Sequence, residues 1–180
     1  MKYNSIMKDF FELIRWNHWA KNVFVLAPLF FSGDYYDISN VVLVLKAFFI
    51  FCLVSSCVYI FNDLLDYEAD SAHNKKRLRP LPSGRISKPM AVLILSIMFI
   101  SACLLLYTLR MPINFIYVVL LYALINLVYS MGLKHIPVLE LILVSSGFVL
   151  RLVGGGEALS IGLSPWIIAA TASLSLLITV

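Results

Sequence analysis

Long apolar runs, separated by short polar or charged segments, set the pattern of this chain. They cover residues 16–31, 41–66 (interrupted by Lys46), 89–109, 112–129, 137–159 and 165–180. Most approach the ~20 residues with which a helix crosses ~30 Å of hydrocarbon. Backbone groups in lipid must be satisfied within the segment, so such runs fold as helices. Period-two alternation is not sustained anywhere, which excludes a transmembrane barrel. Pro89, Pro112, Pro137 and Pro165 each open a run, where the missing N–H costs no helical bond. Trp16 and Trp19 begin the first run, as interfacial anchors do. The pattern predicts an all-α polytopic transmembrane bundle of about six spans, a single domain over residues 1–180. The last run is still apolar where the sequence stops, so the chain reads as the N-terminal portion of a longer protein.

Composition agrees with this reading. Of the 180 residues, 61% are hydrophobic and 13% charged, with a mean hydropathy of +0.92. A soluble domain of this size cannot bury that much apolar side chain, and a disordered chain does not carry it. The net charge of +4 is explained by basic loops, and nucleic acid is not expected as a partner. Lys2, Lys8, Asp9, Glu12 and Arg15 interrupt the first stretch, so no cleavable signal peptide is read there. The loop after the second run holds Lys75, Lys76, Arg77, Arg79, Arg85 and Lys88; "SGDYYDISN" after the first holds no basic residue. This asymmetry predicts that the N-terminus, the 67–88 loop and the 130–136 loop are cytoplasmic. Cys52, Cys57 and Cys103 lie inside apolar runs without metal-ligand spacing, and are expected to be small buried hydrophobes.

Charge is concentrated in "NDLLDYEADSAHNKKRLRPLPSGRIS", residues 62–87. On a helix, Tyr59, Asn62, Asp63, Asp66 and Asp70 fall within an arc of roughly 100°, and Glu68 points away. Three carboxylates at a helix C-terminus repel one another and the macrodipole. A divalent cation relieves this: Mg²⁺ takes one or two carboxylates and completes its shell with water and substrate phosphate. The basic residues that follow suit the remaining phosphate charge. Pro80, Pro82 and Gly84 predict a stiff turn holding them over the site.

These residues resemble a known family. "NDLLDYEAD" followed by "RPLPSGRIS" is similar to the first aspartate-rich motif and following loop of the UbiA superfamily of intramembrane prenyltransferases. "RWNHWAKNVFVLAPLF" resembles the R-P-x-Q-W-x-K-N-x-x-V-x-A-P opening of its decaprenyl-phosphate phosphoribosyltransferase branch. "EADSAHNKKRLRP" resembles that branch's E-x-D-x-x-H-x-x-K-R-x-R-P. "YSMGLKHIPVLELILVSSGFVLRLVGGGEA" resembles a further stretch of it. Trp16 and Asn74 stand where that branch has proline, and its members continue into later spans with a second polar motif.

The resemblance implies a reaction: a 5-phosphoribosyl group moves from phosphoribosyl diphosphate to a polyprenyl phosphate, with Mg²⁺ on the leaving diphosphate. It implies metal ligation by Asn62 and Asp66, helped by Asp63 and Asp70. It implies donor contacts from Tyr59, Lys21 and His73, and phosphate contacts from Lys76, Arg77 and Arg79. The first alternative is an aromatic polyprenyltransferase, with the same metal motif holding a prenyl diphosphate. An inactive membrane fragment and an ion transporter are the other readings, and oligomerisation is left open.

Glu140 and Arg151 are eleven residues apart on the fifth run, nearly on one helical face with Gly147. They line a polar cavity or snorkel to headgroups. Tyr129 is expected at the donor pocket, beside Tyr122 and Asn126, and Lys134 is a candidate phosphate ligand. His18 and His135 read as surface or interface histidines. Gly154–Gly156 lacks the preceding strand of a nucleotide-binding loop and reads as a tight extracytoplasmic turn.

Overall fold

The computed structural model describes residues 2–133 and 136–179. The described residues are helical or in turns. An amphipathic helix α1 (Lys2–Leu13) leads into a 3₁₀ segment (Trp16–Leu26) and the short α2 (Ala27–Ser32). Then come α3 (Ile38–Leu65), α4 (Tyr67–Ala72), α5 (Lys88–Thr108), α6 (Ile113–Ser130), α7 (Pro137–Leu159) and α8 (Pro165–Thr179). Among the described residues, four helices are long and apolar enough to cross a membrane: α3, α5, α6 and α7. The expected sixth span is the shorter α8, and the expected first span is not one helix but the 3₁₀ segment followed by α2.

The long helices start as their sequences require. Asp37 caps α3, its carboxylate accepting from the Ser39 amide at 2.8 Å and hydroxyl at 2.7 Å, which lowers its pKa. Ser87 caps α5 with Pro89 in the first turn, and Pro112, Pro137 and Pro165 open α6, α7 and α8. Half of the apolar window of α3 is buried inside the protein, against 17% for α5 and 22% for α6. Helix α3 is therefore the central post, packed by α5, α6, α7 and the 3₁₀ segment, while α5 and α6 turn most of their apolar surface outward, as lipid-facing helices do.

An 11-residue 3₁₀ run is long for that conformation. Contacts hold it. The Trp19 indole donates to Ser56 Oγ at 3.0 Å, and Asn22 Nδ2 donates to Ser55 Oγ at 3.3 Å and Cys52 Sγ at 3.2 Å, all on α3. With three residues per turn, side chains three apart stack in rows. The row Trp19, Asn22, Val25 faces the core. In the row His18, Lys21, Phe24, His18 meets Tyr59 of α3, while Lys21 and Phe24 face α7, where Phe24 meets the Phe148 ring edge-on.

The three glycines expected to form a turn lie inside α7 instead and make its packing face. A methyl group at Gly155 would sit 2.0 Å from the Val25 carbonyl oxygen of the 3₁₀ segment. Small residues let backbones approach this closely in membrane bundles. Gly155→Ala is expected to destabilise the fold by ~3 kcal/mol, because backbone blocks the new atom. Gly162→Ala, which meets nothing within 4 Å, is the control in thermal unfolding in detergent. Equal melting of the two variants would show that the 3₁₀ segment does not seat on α7.

Two of the cysteines are buried as expected; Cys103 is exposed on α5.

Candidate functional site

The polar residues gather at one end of the bundle, where α3 ends, α6 ends and α7 begins. Asp66 terminates α3 with backbone outside the helical region, and α4 continues after it. This interruption divides the face that was expected to present Asn62, Asp63, Asp66 and Asp70 together. Asn62 borders a cavity of about 220 Å³, and its Nδ2 lies 3.2 Å from Asp66 Oδ2. Asp63 and Asp70 turn to the other side, where basic side chains neutralise them.

That second side is a ladder of alternating charge. Arg15 Nη2 donates to Asp63 Oδ1 at 2.5 Å, and Arg79 Nη1 reaches the same oxygen at 3.4 Å. Arg79 also donates to Asp70 Oδ2 at 2.6 Å, and Lys76 Nζ stands 3.5 Å from Asp70 Oδ1. Asp63 and Asp70 are 3% and 2% exposed, and breaking either of these buried pairs from one side is costly. Among the described residues no three His, Cys, Asp or Glu side chains are placed to hold a metal together. The expectation that Asp63 and Asp70 serve beside Asn62 and Asp66 thus meets an arrangement in which arginines occupy them.

The loop is built as its prolines predict. Ile86 N bonds Pro80 O at 3.0 Å, Gly84 turns with φ 75°, and Leu81 is buried beneath. Arg85 faces α1 rather than the cavity. It bonds Asp9, both oxygens of Glu12 (3.0 and 3.2 Å) and the Leu78 carbonyl at 2.6 Å. The Glu12 carboxylate, followed by Asp9, raises the Arg85 pKa against an opposing effect of burial. His73 Nδ1 accepts from the amides of Lys75 and Lys76 at 3.2 and 3.3 Å, so the ring shapes the loop. Arg77 is exposed on the loop, and Lys134 and His135 lie outside the described residues.

Around the cavity stand Arg15, His18 and Lys21 from the N-terminal segment and Tyr59 and Asn62 from α3. Tyr122, Asn126 and Tyr129 come from α6, and Gly147, Phe148 and Arg151 from α7. Arg151 is 4% exposed and does not snorkel. Its guanidinium donates to Asn22 Oδ1 at 2.6 Å, Gly147 O at 2.7 Å and Tyr122 Oη at 2.7 Å. All three partners are neutral, so the charge is solvated but not cancelled. Lys21 Nζ lies 5.7 Å from the centre of the Phe148 ring. The Tyr129 hydroxyl donates to Glu140 at 3.0 Å, which brings Glu140 to the rim.

Sequence reasoning grouped Tyr122 and Asn126 with Tyr129 but did not single out Arg15, His18 or Asn22 for this site. Arg15 adopts a left-handed backbone (φ 52°), an uncommon state for a residue with a side chain. Its guanidinium also lies 4.8 Å from the centre of the Tyr59 ring. The signal in the sequence was the R-x-x-x-W-x-K-N pattern itself.

Residues 23–180 match the model of the UbiA prenyltransferase family. The chain belongs to that family. Two similar UbiA-family relatives are named decaprenyl-phosphate phosphoribosyltransferase. The one from Mycolicibacterium smegmatis is 36% identical over 178 residues, covering 96% of this chain and 55% of that one. The one from Corynebacterium glutamicum is 36% identical over 167 residues, covering 92% of this chain and 50% of that one. The chain thus spans about half the length of these relatives. Among solved structures, a digeranylgeranylglyceryl phosphate synthase superposes with a TM-score of 0.76 at 23% identity, covering 95% of this chain and 58% of that one. A UbiA homologue from Archaeoglobus fulgidus, bound to GPP and Mg²⁺, superposes with a TM-score of 0.72 at 19% identity, covering 95% and 61%. These likenesses establish an all-helical UbiA-type membrane fold.

The residues present fit a Mg²⁺ ion at Asn62 and Asp66. Asn62 Oδ1 is buried and has no partner among the described residues, an expensive state for an amide oxygen. One carboxylate and one amide oxygen, one helical turn apart, are the few protein ligands that Mg²⁺ uses when phosphate completes its shell.

Proposed function

We propose that this chain forms the donor-binding part of a Mg²⁺-dependent membrane transferase, moving a 5-phosphoribosyl group from phosphoribosyl diphosphate to a polyprenyl phosphate. The observation that carries this reading is the cavity wall. Arg151 and Lys21 present positive charge on one side, and Asn62, next to Asp66, offers an unpartnered oxygen on the other. A diphosphate matches both, binding cations directly and sharing a metal with the oxygens. The 36% identity to relatives named for this reaction supports the choice of donor and acceptor.

In this reading Asn62 and Asp66 hold Mg²⁺, which when bound neutralises charge on the leaving diphosphate. Arg151 and Lys21 fix the diphosphate oxygens, and Tyr59 and Tyr129 border the sugar. The bond between ribose C1 and the diphosphate breaks, and the electron pair leaves with the diphosphate. An oxygen of the lipid phosphate forms the new bond to C1. The protein positions and stabilises charge; it forms no covalent intermediate. Arg15 and Arg79 pair with Asp63 and Asp70 and tie the 67–88 loop to the mouth of the cavity. We place this mouth at the cytoplasmic face, on the strength of the basic loops.

The test uses membranes carrying the chain, alone and with any continuation of its reading frame, supplied with Mg²⁺, labelled phosphoribosyl diphosphate and a polyprenyl phosphate. Label is expected in the lipid phase. If both forms are folded and neither transfers label, while a labelled prenyl diphosphate reacts with an aromatic acceptor, the aromatic prenyltransferase reading replaces this one.

A further inference from the structure

Two buried side-chain polar atoms lack a partner among the described residues, Asn62 Oδ1 and His18 Nδ1, and both residues border the same cavity. The metal reading accounts for Asn62. Nothing above uses His18. Its ring packs edge-on to Tyr59, with centroids 5.1 Å apart, and borders a second cavity on the side of Asp63 and Arg79. The imidazole is thus a partition between the diphosphate-binding space and the charge ladder.

The chemistry of the ring selects its ligand. Arg15, Lys21 and Arg151 line the same cavity, and Arg79 and Asp63 face the ring from the other side. A further positive charge among these cations is unfavourable, so the ring is neutral and offers one N–H and one acceptor nitrogen. A sugar hydroxyl both donates and accepts, so it can pair with Nδ1 whether that nitrogen bears the proton or the lone pair. His18 Nδ1 is buried without a partner, and a hydroxyl bound in the adjoining cavity would supply one.

We infer that His18 is a specificity-determining residue, hydrogen-bonding a sugar hydroxyl of the phosphorylated donor and so distinguishing it from a prenyl diphosphate, which has no hydroxyl. This rests on the reading of the cavity as a sugar diphosphate site. A hydrogen bond that fills an otherwise orphaned polar atom is worth about tenfold in affinity.

Two measurements on the purified chain in detergent with Mg²⁺ test it. In the first, ribose 5-phosphate and 2-deoxyribose 5-phosphate compete with labelled phosphoribosyl diphosphate on the unaltered protein. The 2-hydroxyl is the contact if ribose 5-phosphate competes about tenfold better. A preference only against a 3-deoxy analogue assigns the other hydroxyl and leaves the inference standing. In the second, affinities for phosphoribosyl diphosphate and inorganic diphosphate are compared in His18→Phe and His18→Gln. His18→Phe should lose about tenfold for the sugar donor and keep inorganic diphosphate within about twofold; His18→Gln should recover most of the loss. The inference is overturned if neither deoxy analogue is discriminated against, or if both ligands weaken together in His18→Phe. The sugar diphosphate reading fails separately if the unaltered protein binds geranyl diphosphate and not phosphoribosyl diphosphate.

Discussion

Asp66→Ala is expected to abolish Mg²⁺-dependent transfer. Asp66 is the carboxylate beside the unpartnered Asn62 oxygen, at a helix end where the backbone is already interrupted. Removing the one carboxylate that Asn62 touches leaves the amide as the neighbouring protein ligand, and the loss should exceed about 10³-fold, the scale on which a group stabilising transition-state charge acts. Asp63→Asn makes the contrast. Asp63 is held by Arg15 and Arg79, and breaking a buried ion pair from one side costs about 3–5 kcal/mol. The Asp63 variant should therefore melt early, whereas the Asp66 variant should fail to bind Mn²⁺ used as a spectroscopic probe of the Mg²⁺ site. A normally folded Asp66→Ala protein that transfers at the unaltered rate would sink the assignment of the metal to this side.

The contrast depends on the side of the helix to which each carboxylate turns, and the sequence did not show that. The helical arc correctly grouped Asn62 with Asp66, because the two are four residues apart in one chain segment. It could not show that Asp63 and Asp70 face arginines, since Arg15 is 48 positions from Asp63. The long spans α3, α5, α6 and α7 were legible because each is a contiguous apolar run, which needs no tertiary information. The first run was not, because a row of residues three apart exists only if the segment is 3₁₀. In an α-helix His18, Lys21 and Phe24 would drift about 60° apart at each step. What enforces the tighter helix is Ser55 and Ser56 on α3 and the bare backbone of Gly155 on α7. The glycine run misled for a related reason: glycine reads as a turn in isolation, yet in a membrane bundle its lack of a side chain serves packing. Of the Arg151–Glu140 pair, Arg151 lines the cavity and is buried rather than snorkelling, while the half-buried Glu140 reaches it only through Tyr129.

Arg151→Met is expected to separate stability from binding. The guanidinium is solvated by Asn22, Gly147 and Tyr122 alone, so the ligand-free protein holds a cation with no anion against it. Methionine leaves three acceptors short of a partner, at about 1–3 kcal/mol each, but removes the desolvation cost of the charge, which is several kcal/mol. The two offset, and the ligand-free melting temperature should move by only a few degrees. Binding has no such offset. A cation and a phosphate oxygen at ~4 Å attract by about 4 kcal/mol at an effective dielectric constant of 20, close to a thousandfold in affinity. Stabilisation by ligand follows its concentration relative to Kd, so the rise in melting temperature that inorganic diphosphate produces in the unaltered protein should vanish in the variant. If Arg151→Met melted far earlier yet kept the diphosphate shift, the arginine would be a structural post. A protein that tolerates a buried, uncancelled charge until an anionic ligand arrives has placed part of its binding energy in the empty site.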